Sequence, residues 1–267
     1  MAGKDFDGSV VVVTGASTGL GRAIAVETAE RGAAVVVVNF ASNRAEAEET
    51  ARQVEAKGAR APVVQADVAD DAGCAAIAAA AAPHGRIDAL FNNAGTTVFA
   101  NNHADLDAVS GDDFLRLYKV NVIGAYQMIR AARSLLEAGS APGAVVNTAS
   151  IAAVLGIGSS VPYAASKGAL VTMTLSLARA LAPKIRVNAI CPGFIDTPWF
   201  GRAMPEDRLQ RMREGVAAGT PLKVASTAED IAGAAVFLAS PAARHITGEA
   251  LIVDAGTHLG YAPLTMR

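Results

Sequence analysis

The sequence predicts an α/β protein built on one doubly wound parallel sheet of about seven strands, with helices on both faces. Short runs of β-branched residues alternate along the 267-residue chain with longer, alanine-rich segments that carry a polar face. This alternation is typical of parallel sheets whose strands are joined by helices. Several of the short runs are apolar throughout, as expected of strands that helices cover on both sides.

The apolar runs predict seven strands, at residues 10–13, 35–38, 61–65, 89–92, 144–148, 186–190 and 250–253. Between them, the alanine-rich segments predict helices at residues 21–31, 44–57, 70–83, 112–138, 163–182, 205–217 and 228–239. No internal repeat, low-complexity block or flexible linker interrupts this pattern, so residues 1–267 are interpreted as one domain.

Two segments, residues 96–111 and 194–221, are long and poorly periodic. Because open α/β sheets bind ligands at the carboxyl ends of their strands, we expect these segments to form the walls of a substrate site. Asp196 and Trp199 are candidates for its lining, unless the loop packs onto its own body. The second segment also carries further apolar and basic side chains, namely Phe194, Phe200, Met204, Arg202, Arg208, Arg211 and Arg213. The apolar group favours a ring-bearing substrate, and the arginines either meet an acidic group or face water.

Composition and charge favour a globular protein that binds small molecules. The chain is 52% hydrophobic and 18% charged, its net charge is −2, and no basic run predicts nucleic-acid binding. The longest apolar stretch, residues 75–82, is far shorter than the roughly 20 residues of a membrane span. Residues 1–8 hold no apolar run typical of a signal peptide, so a cytoplasmic location is expected. Cys74 and Cys191 lack metal-ligand spacing, and we expect buried thiols and no metal.

A glycine-rich segment follows the first predicted strand and leads directly into a helix. It reads Thr14-Gly15-Ala16-Ser17-Thr18-Gly19-Leu20-Gly21. Glycines let the backbone approach a pyrophosphate closely, and the helix N-terminus then supplies free N–H donors. The spacing differs from the commonest dinucleotide fingerprint, and a simple tight turn is the alternative. Its place in the first strand–turn–helix unit favours nucleotide binding.

Tyr163 and Lys167 are four residues apart, which places them on one face of a predicted helix. A tyrosine that acts as a base near neutral pH needs its pKa lowered by about three units, or roughly 4 kcal/mol. A neighbouring ammonium acts in that direction, and so does an oxidised nicotinamide. Hydride transfer at an alcohol carbon needs a matching proton transfer at oxygen, which this pair can perform. An ordinary helix surface is the alternative.

Two further polar residues are candidates for the same site. Ser150 follows the predicted strand 144–148, where its hydroxyl could hold a substrate oxygen or merely cap a helix. Asn121 lies within the predicted helix 112–138, where asparagine is unfavourable. It either links Lys167 to solvent through a water molecule or is simply solvated.

Together these residues resemble the short-chain dehydrogenase/reductase family, in the style of its 3-oxoacyl-carrier-protein reductase-like and glucose-dehydrogenase-like members. The resemblance runs from about Gly8 to Gly256 and covers, in the family's order, Thr14–Gly21, Asp67-Val68, Asn92-Asn93-Ala94-Gly95, Asn121, Ser150, Tyr163, Lys167 and Pro192-Gly193. It implies a single Rossmann-like domain with a seven-stranded parallel sheet. It also implies a homo-oligomer, a dimer or tetramer, with residues 246–256 at an interface.

The resemblance also implies a role for each site residue. Tyr163 is the general acid/base, Lys167 lowers its pKa and binds the nicotinamide ribose, Ser150 orients the substrate, and Asn121 holds a relay water. Asp67 and Val68 flank the adenine, and residues 92–95 line the adenosine side. The full set expected to bind the cofactor is Gly15, Ser17, Thr18, Gly19, Leu20, Gly21, Phe40, Ser42, Asn43, Arg44, Asp67, Val68, Asn93, Ala94, Gly95, Tyr163, Lys167, Pro192, Gly193, Ile195 and Thr197.

The end of the second strand bears on the choice between NAD and NADP. An NAD site generally carries a carboxylate there for the ribose hydroxyls, but here the nearest is Glu46. Ser42, Asn43 and Arg44 could donate to a 2′-phosphate instead, so NADP(H) is favoured over NAD(H). Alternatively, Ser42 or Asn43 only caps the next helix. Family members that prefer NADP often carry a basic residue where this chain has Thr18.

The sequence therefore predicts an oxidoreductase that transfers a hydride between NADP(H) and a secondary alcohol or ketone, with no nucleic-acid or membrane partner. Two alternatives share the fold. One is an epimerase or dehydratase that recycles its nicotinamide, and the other is a non-catalytic nucleotide-sensing protein. The complete Ser150, Tyr163 and Lys167 set argues against the sensor.

Overall fold

The computed structural model describes residues 4–100, 102–201 and 205–260. The sheet strands are β1 (Val10–Val13), β2 (Val35–Phe40), β3 (Val63–Gln65), β4 (Ala89–Asn92), β5 (Gly143–Thr148) and β6 (Ile185–Pro192), with two short strands, β7 (Ile195–Asp196) and β8 (Ser226–Thr227), and finally β9 (Ala250–Val253). The helices are α1 (Gly19–Glu30), α2 (Arg44–Ala56), α3 (Asp71–Ala81), α4 (Gly111–Tyr118), α5 (Ala125–Leu136), α6 (Ala152–Leu155), α7 (Val161–Leu181), α8 (Pro198–Gly201), α9 (Glu206–Gly219) and α10 (Ala228–Ala239).

Seven parallel strands form the main sheet in the order β3-β2-β1-β4-β5-β6-β9. This arrangement confirms the predicted doubly wound fold. After β3 the chain returns to pair β4 against the free side of β1, with Val12 beside Leu90. The strand order therefore reverses between β1 and β4, and a crevice opens beyond their carboxyl ends.

Helices cover both faces of the sheet, and this explains why β1 is apolar throughout. Val11 and Val13 pack into one layer with residues of α1 and α10, whereas Val10 and Val12 pack into the opposite layer with residues of α3 and α5. All four valines are at most 4% exposed. Full burial of such a side chain contributes roughly 1.5–3 kcal/mol, so a strand of this composition is stable only between two helical layers.

The predicted helix 112–138 is the main correction to the elements. The structure has two helices there, α4 and α5, joined by a wide π-helical turn at Lys119–Gly124. Asn121 lies in that turn with a buried side chain. A π-helical turn disrupts the regular backbone ladder, and such turns are frequent at functional sites. The small parallel pair of β7 with β8 was also not predicted.

A buried arginine anchors α10 to the sheet. The Arg186 guanidinium of β6 donates to the carbonyl oxygens of Leu238 and Ala239 and to those of two residues beyond the helix, Ser240 and Ile246. The negative end of the helix dipole stabilises a cation at this position. Burial nevertheless lowers the pKa of Arg186.

No helix among the described residues is long and apolar enough to span a membrane.

Candidate active site

A cleft of about 570 Å³ lies in the crevice at the carboxyl ends of the central strands. Its volume is within the usual range for small-molecule sites. All the residues of the predicted catalytic and cofactor-binding sets line this cleft except Gly21, Arg44 and Asn121, and two further candidates, Asn92 and Asp196, do not line it either. The lining also includes residues that the sequence analysis did not select, namely Asn39, Ala41, Ala66, Thr96, Val120, Thr148 and Ala149.

The glycine loop forms one end of the cleft and is held tightly from behind. The Asn93 amide donates to the carbonyl oxygens of Thr14 and Gly15, at 3.2 and 3.1 Å. A Cβ at Gly21 would overlap the Gly15 carbonyl oxygen and lie 2.5 Å from Nδ2 of Asn93. Gly21 is therefore required for packing beneath the loop and does not line the cleft.

Gly15 is required for a different reason. Its φ of +62° lies in the left-handed region, and a Cβ there would approach Cα of Ala94 to 2.8 Å. The glycine loop and the loop after β4 therefore contact each other through their backbones at this end of the cleft.

Asn39, which the sequence analysis did not select, ties the glycine loop to the sheet. Its Oδ1 accepts from the Gly15 N–H at 3.2 Å, and its Nδ2 donates to the carbonyl oxygens of Val64 and Ala66. The residue is 1% exposed. A polar amide inside the otherwise apolar strand β2 was the available signal, because a buried amide needs partners from other segments.

The end of β2 carries no free carboxylate. Glu46, the nearest acidic side chain, forms an ion pair with Arg22 at 2.5 Å, and Arg22 also donates to the Ser17 carbonyl oxygen. Asn43 lines the cleft and also caps α2 by accepting from the Glu46 N–H. The capping role of Asn43 is thus confirmed, and its position in the cleft lining is compatible with the other expected role, donation to a 2′-phosphate, which stays a prediction.

Arg44 does not line the cleft, contrary to its place in the predicted set. Its guanidinium donates to Oε1 of Gln65 at 3.1 Å and lies 3.7 Å from Oε1 of Glu48. It also stacks 5.4 Å from the centroid of the Phe40 ring. These surface partners turn the side chain outward, and the residue stands at the rim of the cleft beside Asn43.

Ser150, Tyr163 and Lys167 meet at the other end of the cleft. The Ser160 hydroxyl caps α7 by accepting from the Tyr163 N–H at 3.4 Å, which sets Tyr163 in the first turn and Lys167 one turn later. The Ser150 hydroxyl hydrogen-bonds with the Tyr163 side chain and also accepts from the Ala152 N–H at 3.1 Å. Ser150 therefore hydrogen-bonds with the first turn of α6 and also lines the cleft.

Lys167 lies behind Tyr163. Its Nζ donates to the Thr148 carbonyl oxygen at 2.7 Å and is 5.7 Å from the centroid of the Tyr163 ring. Burial lowers the pKa of Lys167 to about 8, and the Cys191 thiol beneath opposes that shift weakly. The amine is therefore mainly protonated at pH 7, and its charge is available to the phenol.

In the protein alone, burial raises the pKa of Tyr163, and the hydrogen bond with Ser150 opposes the rise. The implied lowering of this pKa by Lys167 is thus not produced by the chain alone, because desolvation of the phenolate is the larger effect. A lowered pKa for Tyr163 would therefore need a second positive charge on the cleft side.

Asn121 is buried behind the cleft, and its side chain is fully engaged. Its Oδ1 accepts from the Thr96 N–H at 2.8 Å, while Nδ2 donates to the Thr96 carbonyl oxygen and to Oγ of Ser166, both at 3.0 Å. The side chain therefore neither faces solvent nor enters the cleft. It fixes the loop after β4 against α7 beside Lys167.

Asn92 and Asn93 separate at the end of β4. Asn93 faces the glycine loop and lines the cleft. Asn92 does not line it, so the implied place for Asn92 on the adenosine side is wrong. Successive strand side chains point to opposite faces, and the amide of Asn92 lies beneath the sheet, donating to Asn147 and to the Ala125 carbonyl oxygen.

In the substrate segment, Trp199 lines the cleft, whereas Asp196 does not. Asp196 accepts from Arg213 at 2.7 Å, and Arg213 also pairs with Glu206. The pair of Asp196 with Arg213 binds α9 to β7, so this part of the loop does pack onto its own body. Arg211 pairs with Asp207. The predicted contributors Arg202 and Met204, and the side chain of Phe200, lie outside the described residues.

Comparison with known proteins agrees with this geometry. Residues 15–258 match the family model described as enoyl-(acyl carrier protein) reductase. An L-rhamnose 1-dehydrogenase (NAD(P)⁺) of a Sphingomonas species is 38% identical over 96% of this chain and 98% of its own length. A cis-4-hydroxycyclohexanecarboxylate dehydrogenase of Sinomonas cyclohexanicum is also 38% identical, over 95% of this chain and 98% of its own.

Among solved structures, aldohexose dehydrogenase of Thermoplasma acidophilum in its ligand-free form superposes with a TM-score of 0.85. It is 28% identical and covers 99% of both chains. The fold, the cleft and these similarities lead to one conclusion. The chain belongs to the short-chain dehydrogenase/reductase family, whose members are NAD(P)-dependent oxidoreductases that act on CH–OH and C=O groups.

Proposed function

We propose that this protein transfers a hydride between NADP(H) and a secondary alcohol or ketone, with Tyr163 as the general acid/base. The observation that carries the proposal is the contact of the Tyr163 side chain with Ser150, in front of the protonated amine of Lys167. This group lies in the same cleft as the glycine loop. A phosphate-binding end and a proton-transfer end joined by one cleft are what a dinucleotide oxidoreductase needs.

The residues present fit a dinucleotide. Gly15 and Gly19 line the cleft without side chains, and no side chain caps the first turn of α1. That turn can therefore receive a pyrophosphate. Asp67, Val68, Pro192, Gly193, Ile195 and Thr197 all line the cleft. We propose that the first two would flank the adenine and the other four would contact the nicotinamide. A bound nicotinamide supplies the hydride donor or acceptor and, when oxidised, a positive charge.

The chain's own residues then handle the proton. In alcohol oxidation, Tyr163 accepts the hydroxyl proton of the substrate, and Ser150 donates a hydrogen bond that holds the same oxygen. The Lys167 ammonium and the positive charge on the cleft side together oppose the desolvation that raises the pKa of Tyr163. In the reductive direction Tyr163 returns the proton. Asn121 contributes by fixing Thr96 and Ser166 around Lys167.

The preference for NADP(H) rests on the absence of a free carboxylate at the end of β2 among the described residues. Ser42 and Asn43 line the cleft there, and the Arg44 guanidinium would meet a 2′-phosphate if it left its surface partners Gln65 and Glu48. We expect kcat/KM to be higher with NADP⁺ than with NAD⁺. Arg44→Ala should reduce the ratio of these two kcat/KM values. A hundredfold preference of the native protein for NAD⁺ would contradict this assignment.

The proposed substrates are secondary alcohols and their ketones, and ring-bearing compounds are the first to test. Trp199 offers an apolar wall beside the reacting groups. Relatives at 38% identity are named for a sugar and for a hydroxycyclohexanecarboxylate, a ring that carries a hydroxyl group and a carboxylate. Nicotinamide absorbance, followed with both cofactors over aldoses, cyclic alcohols, acyclic alcohols and ketones, tests this. Nucleotide retained through purification without net turnover would instead favour the epimerase or dehydratase.

Tyr163→Phe is the direct test of the proton-transfer role. We expect kcat to fall by about 10²–10⁴-fold, since a positioned acid/base contributes that much, while cofactor affinity stays near the native value. Tyr118→Phe, at the end of α4 and outside the cleft lining, is the matched control and should keep its activity. Native-like turnover by Tyr163→Phe would disprove the assignment.

We also propose a homo-oligomer in the cytoplasm, with dimer or tetramer as the expected state. Large apolar side chains are exposed on α4, α5 and α7, including Leu115 at 70%, Tyr126 at 47% and Val161 at 44%. Exposed apolar area of this kind is typical of surfaces that another protein covers. Light scattering on the purified protein tests the state, and a monomer at micromolar concentration would contradict it.

A further inference from the structure

Three buried polar side chains form a continuous chain beneath the catalytic end of the sheet. Nδ2 of Asn92 donates to Oδ1 of Asn147 at 2.9 Å, and Nδ2 of Asn147 donates to Oγ1 of Thr174, also at 2.9 Å. The Thr174 hydroxyl donates in turn to the Leu170 carbonyl oxygen. Asn92 is 4% exposed, and the other two are fully buried. None of the three lines the cleft.

The chain joins the elements that carry the proposed proton-transfer residues. Asn92 and Asn147 stand opposite each other on β4 and β5, and Thr174 is on α7. Thr174 follows Lys167 by seven residues, which is about two turns, so both lie on the face of α7 that covers the sheet. The helix thus has two polar attachments to β5, from Thr174 to Asn147 and from Lys167 to the Thr148 carbonyl oxygen.

Two attachments at different points along a helix resist both sliding and rotation. A buried amide that loses its partner is left unsatisfied in a dry environment, which is costly, so alternative positions of α7 are strongly disfavoured. Apolar contacts alone do not select one position so sharply, because they are non-directional. Proton transfer needs heavy atoms at about 2.6–3.2 Å, and a displacement of about 1 Å can cost 10²-fold in rate.

We propose that Asn92, Asn147 and Thr174 are positioning residues that set the register of α7 on the sheet. Through α7 they fix the distance of the Tyr163 hydroxyl from Ser150 and of the Lys167 ammonium from the phenol. The inference rests on the proposed function of Tyr163. Asn92 does not line the cleft, and under this proposal it acts on the site indirectly, through Asn147 and Thr174.

Thr174→Val is the decisive variant, because it keeps the shape of the side chain and removes the hydroxyl. We expect kcat to fall about tenfold, with the cofactor dissociation constant unchanged within about twofold. The pH at which alcohol oxidation is half-maximal should rise by about half a unit, because a displaced Lys167 stabilises the tyrosinate less. Thr174→Ser keeps the hydroxyl and should restore kcat to within about twofold of the native value.

Thr28→Val is the matched control. Thr28 is also fully buried on a helix, and its hydroxyl also donates to a carbonyl oxygen of its own helix, that of Ala25. We expect its kcat and pH profile to stay native. Unchanged kcat in Thr174→Val, or equal losses in Thr174→Val and Thr28→Val, would overturn the proposal. If Thr174→Val does not fold, Thr174→Ala compared with Thr174→Ser decides the same question.

A crystal structure of Thr174→Val keeps this inference separate from the proposed function. A displaced α7, with a longer separation of Tyr163 Oη from Ser150 Oγ than in the native protein, supports the positioning role. An unmoved helix overturns it. Absence of native turnover on the whole substrate panel counts against the proposed function alone, since the helix position is still measured.

Discussion

Replacement of Lys167 by methionine should stabilise the protein at neutral pH while removing its activity. Lys167 is 4% exposed, and burial lowers the pKa of its amine from 10.5 to about 8. That shift corresponds to about 3 kcal/mol of cost for holding the charged form in the folded state. Methionine has similar length and no charge, so it removes the cost, but it leaves the Thr148 carbonyl oxygen without its donor.

The direction in which pH changes the stability of Lys167→Met relative to the native protein follows from proton linkage. Below pH 8 the lysine is protonated in both the folded and the unfolded state, so the folded protein bears the full cost. Between about pH 8 and pH 10.5 the unfolded chain binds more protons than the folded one, and the stability contributed by this site rises with pH. The advantage of Lys167→Met should therefore be largest at pH 7 and shrink as the pH rises through this window.

Loss of the hydrogen bond to the Thr148 carbonyl oxygen costs about 1–2 kcal/mol, which offsets part of the benefit of removing the buried charge. The free energy of unfolding of Lys167→Met should therefore exceed that of the native protein by about 1–2 kcal/mol at pH 7. Urea unfolding followed by circular dichroism, at one protein concentration and at pH 7 and pH 10, measures the difference between variant and native protein. Groups common to both proteins cancel in that difference. Lys184→Met, at an exposed position, is the control and should show no pH-dependent difference. A difference for Lys167→Met that is equal at the two pH values would refute the reasoning.

Three further predictions test the scaffold around the cleft. Gly15→Ala should raise the KM for the cofactor at least about tenfold, because the new Cβ would lie 2.8 Å from Cα of Ala94. Gly58→Ala is the control: it is also at positive φ but in open space, and the KM should not change. Asn39→Asp should lower the free energy of unfolding by about 2–4 kcal/mol in urea titrations, because a carboxylate oxygen would face the two carbonyl oxygens that the amide now satisfies. Arg186→Met should cost about 3 kcal/mol in the same assay, since four buried carbonyl oxygens lose their donor, and a change below 1 kcal/mol would contradict its anchoring role.

Much of the fold was predictable because its core strands are buried on both faces. The predicted bounds of β1, β4 and β9 match the structure, as do those of α10. Continuous apolar runs are a local signal that needs no knowledge of distant segments. The error at residues 112–138 has the opposite origin. The π-helical turn there is held by bonds from Asn121 to Thr96 and Ser166, partners that local periodicity does not reveal.

The same distinction applies to the site. The motifs, read together as a family resemblance, were sufficient to predict that the glycine loop, Ser150, Tyr163 and Lys167 share one cleft. Spacing did not show that the Arg44 side chain points outward to Gln65. That contact forms only when the start of α2 lies beside the end of β3 in the folded protein. Asn39 was missed for a related reason. Its three partners come from the glycine loop and from the chain at and just beyond β3, and they become neighbours only in the folded sheet.

The sequence by itself determined the doubly wound sheet, the glycine-rich turn and the tyrosine–lysine pair, because each depends on residues close together along the chain. Only the tertiary structure decided which polar groups are satisfied by the protein and which face the cleft. Asn92 and Asn93 illustrate the reason. They are adjacent in sequence and identical in chemistry, yet the pleat of β4 sends one beneath the sheet to Asn147 and the other to the glycine loop. Hydrogen-bond partners from distant segments then give the two amides different roles.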